Sequence, residues 1–201
     1  MKKLLFFFFL FLLPVNAQAL SSDSSIYISG ETIGIKLYTD VEVTKTFEVN
    51  GTKPWENKIK EGDIILKVNG VEISSIEEMK EQIKAVNIIT IKRKNNVFDV
   101  SITPTTVNGN YSLGMYLKDN ILGVGTMTYV IPGTNEYGSL GHSIGSDGES
   151  GNIYSSTVTN INKSSNGNVG EKQVEIDYNP IGTVTNNSET GIYGKYEGTI
   201  D

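Results

Sequence analysis

Ile59-Lys60-Glu61-Gly62-Asp63-Ile64-Ile65-Leu66-Lys67-Val68-Asn69-Gly70 is the stretch that decides how the first half of this chain folds. Glu61-Gly62 turns the backbone into Asp63 to Val68, an aliphatic run rich in β-branched residues that predicts a strand. Asn69-Gly70 ends it with the pair that most readily takes positive φ at both positions, a hairpin signal. Downstream, Ser75-Ile76-Glu77-Glu78 is a capping box that predicts a helix with Ile76, Met79 and Ile83 on one face. Ile88 to Lys92 and Val97 to Ile102 then read as a hairpin around Arg93-Lys94-Asn95-Asn96. Upstream, Ile33 to Leu37 reads as a further strand.

The quoted run, followed by an apolar residue and a capped helix, resembles the bacterial PDZ domain, here over residues 26–105. In that resemblance Thr32-Ile33-Gly34-Ile35 stands where such domains carry a carboxylate-binding loop. It implies that Ile33, Gly34 and Ile35, with Met79 on the helix, bind protein or peptide C-termini. Consecutive backbone N–H groups would receive the terminal carboxylate, and the peptide would add as a strand. Read from the residues alone, Gly34 requires nothing more than a tight strand start.

Lys2 and Lys3 precede an apolar run from Leu4 to Leu13, Pro14, and the small-x-small sequence Ala17-Gln18-Ala19. This is the pattern of a signal peptide over residues 1–19, followed by a polar linker over 20–25. The apolar run is shorter than the roughly 20 residues a spanning helix needs, so export is expected. A formal net charge of −6 argues against nucleic acid as a partner. There is no cysteine and a single histidine, so a zinc site of nitrogen and sulfur ligands cannot be assembled. No metal and no cofactor is expected.

Thr105 to Asn110 reads as a polar linker. From Tyr111 onward, short β-prone runs alternate with glycine and Asn-Gly or Asp-Gly turns, and no helical period appears after Lys84. The strands expected are Ser112–Leu117, Gly123–Ile131, Gly138–Gly141, Asn152–Ile161, Lys172–Ile176 and Gly182–Val184. The expected fold is mainly β, a small α+β domain followed by an all-β region over residues 111–201.

The lone histidine, His142, lies in Gly138-Ser139-Leu140-Gly141-His142-Ser143-Ile144-Gly145. Imidazole is the side chain best suited to proton transfer near neutral pH. By itself the run reads more readily as an exposed turn. Ser139, Ser143 and Ser146 are close in sequence, but none sits in a Gly-x-Ser-x-Gly elbow.

Gly123-Val124-Gly125-Thr126-Met127-Thr128-Tyr129 followed by Tyr137-Gly138-Ser139-Leu140-Gly141-His142 resembles the start of the peptidase domain of the stage IV sporulation protein B family. Ser155 to Ile161, Asn166 to Lys172, Asn187-Ser188 and Gly191 to Gly194 agree with it, as does the order of signal segment, PDZ domain and peptidase region. The resemblance implies a serine endopeptidase of endospore formers, exported to the space between forespore and mother-cell membranes. There it would cleave a partner in a forespore-membrane complex and so release processing of a late sigma factor. It implies a chymotrypsin-like β-barrel, with His142 as the catalytic base. The family's nucleophile sits in a Gly-x-Ser-Gly-Ser-Pro run that residues 1–201 do not contain. Residues 111–201 therefore read as a truncated peptidase domain, inactive alone, with unpaired strand edges expected. The alternative is an exported PDZ peptide-binding pseudopeptidase.

Overall fold

A computed structural model describes residues 25–145 and 147–199. The expected signal peptide, and all of the expected linker but Ser25, lie outside the described residues. Among the described residues, thirteen strands and one helix follow in the order β1 (Tyr27–Ile28), β2 (Thr32–Thr46), β3 (Ile64–Val68), β4 (Val71–Glu72), α1 (Ile76–Gln82), β5 (Asn87–Arg93), β6 (Asn96–Ile102), β7 (Thr105–Val107), β8 (Asn110–Ser112), β9 (Met115–Ile131), β10 (Glu136–Leu140), β11 (Gly151–Asn162), β12 (Glu171–Ser188) and β13 (Gly191–Tyr196). The fold is mainly β, as the sequence indicates.

The local signals act where they stand. Asn69 and Gly70 take φ of 54° and 84°, which turns β3 back on β4. The Ser75 hydroxyl accepts from Glu78 N at 3.2 Å and caps α1. Glu78 reaches back to Ser74 rather than Ser75, accepting from its N–H and hydroxyl at 2.8 Å each. Those bonds hold its carboxyl below the usual range. Thr105 to Asn110, expected as a linker, instead forms most of the β7–β8 hairpin. Asn108 and Gly109 take positive φ at its tip.

Long strands replace several short ones. Of the expected Ser112–Leu117 strand, Ser112 ends β8, while Met115–Leu117 joins Gly123–Ile131 in β9 because β2 pairs along it from Thr32↔Thr126 to Thr46↔Met115, absorbing irregularities as register shifts. Lys172–Ile176 and Gly182–Val184 merge into β12, and Pro180 is tolerated where the β11–β12 register shifts. Strand β13 was not among those expected.

Two cores result. One gathers Val41 and Val43 of β2 with Ile65, Val68, Met79, Ile89 and Ile91. The other gathers Ile33, Ile35 and Leu37 of the same β2 with Met127, Val130, Tyr137, Ile153, Val184 and Ile192. Strand β2 passes from one to the other where its register with β9 slips, between Tyr38 and Glu42. Both β2 and β9 thus serve both cores.

The expected unpaired edges of the second region are largely absent. β9 pairs with β10, β10 with β13, β13 with β12, β12 with β11, β11 with β2, and β2 again with β9. The circuit of hydrogen-bonded pairs closes on itself because Thr32–Tyr38, from the N-terminal span, supplies the sixth strand. Closure removes edges that would otherwise bind other chains. Beyond the circuit, the outer half of the β11–β12 hairpin is mostly exposed, from Thr157 to Asn162 on one strand and through Tyr178 on the other.

Candidate functional site

His142 follows the end of β10. Gly141, at φ +144°, lets the chain leave the strand, and the imidazole is exposed. Its Nδ1 lies 2.7 Å from the Ser143 carbonyl oxygen. A carbonyl oxygen accepts only, so Nδ1 carries the hydrogen and the neutral ring presents the Nε2 lone pair outward. That is the tautomer a base needs.

The loop bearing His142 is fastened by Asn187 on β12, 43 residues downstream of Ile144 and buried to 1%. Ile144 N donates to Asn187 Oδ1 at 3.0 Å, and Asn187 Nδ2 donates to Ile144 O at 2.8 Å. Gly148 N donates to the Asn187 carbonyl at 2.9 Å. The Ile144 side chain packs on the second core, over Gly123, where a Cβ would collide with it. Gly145, at φ +65°, is pressed against Ile121. A side-chain amide that binds both polar groups of one distant backbone residue ties Ile144, two residues from His142, to β12.

The structure describes two of the three serines near His142. Ser139 is buried, and its hydroxyl donates to Ile192 O at 3.1 Å. Ser143 is engaged through its backbone, and Ser146 lies outside the described residues. Among the described residues, no serine hydroxyl is hydrogen-bonded to the imidazole.

Ile33, Gly34 and Ile35 are not beside the helix. They form a central stretch of β2, paired with Gly125, Val124 and Gly123 on one edge and with Ser155, Tyr154 and Ile153 on the other. Their backbone donors are spent in two ladders, so none is free to receive a carboxylate. Ile33 and Ile35 are buried in the second core. Gly34 is glycine because Ile176 of β12 lies where its Cβ would be, 2.6 Å from Ile176 Cγ2.

Met79 does line a groove, and its opposite wall is β9. Ile76, Met79, Lys80 and Ile83 face Leu113, Met115 and Leu117 across a cavity of about 260 Å³. One edge of β9 from Met115 to Lys118 pairs with β2, and the other edge has no strand partner among the described residues. The strand is entered through Ser112-Leu113-Gly114, with Gly114 at φ +71°. Gly114 O accepts from Phe47 N at 2.7 Å, and its missing Cβ leaves room for the Phe47 carbonyl and the ring of Trp55. A free strand edge, an apolar helix face and a left-handed glycine at the strand start are the features by which an extended peptide can be received. The sequence holds the apolar-Gly-apolar pattern three times, at Ile33-Gly34-Ile35, at Leu113-Gly114-Met115 and at Leu122-Gly123-Val124. Which copy lies beside the helix is decided by the long-range β2–β9 ladder, which sets Thr46 against Met115.

Two family models match the chain. Residues 26–92 match the PDZ domain family and residues 109–201 match the SpoIVB peptidase S55 family. In this order the two matches make the chain similar to SpoIVB-type proteins and support a SpoIVB-like peptidase with a peptide- or protein-binding domain. No curated protein matches the chain.

Proposed function

We propose that this chain supplies the general base and the peptide-holding groove of a SpoIVB-like serine peptidase. The observation that carries the reading is His142 itself, exposed, with Nδ1 committed to a carbonyl and Nε2 outward, on a loop locked by Asn187 within the S55-like region. A base so held takes the proton of a serine hydroxyl as that hydroxyl attacks a peptide carbonyl, then returns it to the leaving amine. The groove between α1 and β9 holds the C-terminus of a partner protein. By resemblance that partner belongs to a forespore-membrane complex whose cleavage triggers late sigma-factor processing. The site of action is then outside the cytoplasm, between forespore and mother-cell membranes.

The 201 residues hydrolyse nothing alone in this reading. Supporting it, no serine hydroxyl among the described residues engages His142, and no Gly-x-Ser-Gly-Ser-Pro run occurs. The same observation favours a second reading, an exported PDZ pseudopeptidase that only captures peptides. The test incubates the full chain with casein, alone and with a polypeptide bearing a Gly-x-Ser-Gly-Ser-Pro run from an S55-type peptidase. The chain alone should be inert, and the mixture should cleave casein only while His142 is present. A mixture that stays inert favours the pseudopeptidase. Cleavage by the chain alone that His142→Ala abolishes would overturn the absence of a nucleophile.

A further inference from the structure

The groove and the histidine loop sit on the same strand. Strand β9 runs without interruption from Met115, at the groove, to Ile121 and Gly123, against which Gly145 and Ile144 of the His142 loop are packed. Between them stands Asp119. Its Oδ2 accepts from Ile76 N at 2.8 Å, so the first residue of α1 is tied to β9 midway between groove and loop. The side chain of Asn120 donates to the other carboxylate oxygen at 2.6 Å and holds it in place. A carboxylate at the start of a helix is electrostatically favoured there, which strengthens the tie. The wall formed by α1 therefore cannot shift without pulling on a point two residues from Ile121.

We infer that occupation of the α1–β9 groove is coupled to the state of the His142 loop through β9, with Asp119 as the joint. The inference rests on the reading of the groove as peptide-binding. A peptide that adds to the free edge of β9 hydrogen-bonds that strand and bears on the face of α1. Both changes reach Ile121 and Gly123 through a strand already paired along its other edge with β2. The loop responds because Ile144 and Gly145 have no slack over those positions. Coupling of this kind is reciprocal in binding free energy. Loosening the loop must weaken peptide binding by the same factor that the peptide tightens the loop. The partner's C-terminus is then a signal to the base as well as a tether.

The chain carries its own two reporters, since it has one tryptophan and one histidine. Trp55 lies against Gly114 at the head of the groove. His142 gives one set of imidazole resonances. The experiment titrates the full ¹⁵N-labelled chain with a synthetic peptide ending in valine with a free carboxylate. Trp55 fluorescence and the His142 ring signals are followed together. The expected result is that both respond with one affinity, that Asp119→Ala keeps the Trp55 response but loses most of the His142 response, and that Ile144→Ala weakens peptide affinity about 5-fold or more. A Trp55 response with an unmoved His142 spectrum overturns the coupling and leaves the groove reading standing. No response from either probe removes the groove reading and the inference with it.

Discussion

The carboxylate of Asp63 and the guanidinium of Arg93 meet through two 2.7 Å hydrogen bonds, Nε to Oδ1 and Nη2 to Oδ2. Asp63 is 1% exposed and also accepts from Lys60 N at 2.7 Å, while Arg93 donates on to Lys58 O at 2.9 Å. The only arginine of the chain is thus spent on the turn that admits β3. Beside Asp63 the guanidinium is held in its charged form more firmly than usual, mainly by that hydrogen bond. Removing one partner strands a buried carboxylate, and such losses cost about 3 to 5 kcal/mol. Because Arg93 keeps 29% side-chain exposure, Arg93→Ala should fall near about 3 kcal/mol at the low end of that range. Arg93→Lys keeps the charge but loses the fork and should recover less than half. Urea midpoints at neutral pH check both.

Asn187 governs how firmly His142 is presented. Asn187→Ala removes both hydrogen bonds to Ile144 but leaves the Gly148 bond, which uses the Asn187 backbone carbonyl. Amide exchange at Ile144 should quicken about 10-fold or more, given about 1 to 3 kcal/mol for lost buried hydrogen bonds, while Gly148 changes less. Equal protection of Ile144 in both proteins would show that the loop is held by its packing over Gly123 instead.

Where sequence reasoning succeeded, the physics was local. Asn69-Gly70 needs only its own φ preference, and Ser75 needs only Glu78 three residues on. The His142 loop was half legible, since Gly141 and Gly145 announce a sharp presentation and nothing nearby names Asn187 as its anchor. The groove was legible only at Met79, because several similar glycine motifs compete for its other wall and the choice rests on a β2–β9 ladder closed over some 70 residues. The division of β2 between two cores has the same cause. Alternation along a strand says which residues are buried but not beneath which neighbours.

Tyr137 is a buried cost built into the second core. It is 1% exposed, and its hydroxyl has no hydrogen-bond partner among the described residues. Burial pushes its ionisation upward from the usual 10.0. Tyr137→Phe should therefore be neutral or stabilising by about 1 kcal/mol, since an unsatisfied buried hydroxyl disappears at nearly constant shape. The pH dependence has a definite sign. Below the unfolded pKa, near 10, both states carry the proton and nothing changes. Above it the unfolded chain ionises while the folded chain does not, so stability falls by up to about 1.4 kcal/mol per pH unit. Unfolding midpoints measured from about pH 9 to 11 should fall more steeply for the native chain than for Tyr137→Phe. Parallel curves would mean that this hydroxyl is not dry.

Gly34 and Gly114 give the sharpest test of where peptides bind. Gly34→Ala sets a methyl against Ile176, whose side chain can give way, so overpacking should cost about 1 to 2 kcal/mol and leave the groove untouched. Gly114→Ala is worse placed. Its φ of +71° is strained for alanine by about 1 to 2 kcal/mol. Its Cβ would also meet the Phe47 carbonyl, which is backbone and cannot yield cheaply, at 2.6 Å. The turn into β9 must then reopen, and with it the strand edge beside Met79. Titration of each folded variant with the carboxylate-ending peptide, read by Trp55 fluorescence, should show near-native affinity for Gly34→Ala and at least about 10-fold weaker binding for Gly114→Ala, the equivalent of about 1.4 kcal/mol. The reverse pattern would return the carboxylate loop to Thr32-Ile33-Gly34-Ile35 and require β2 to leave one of its two ladders.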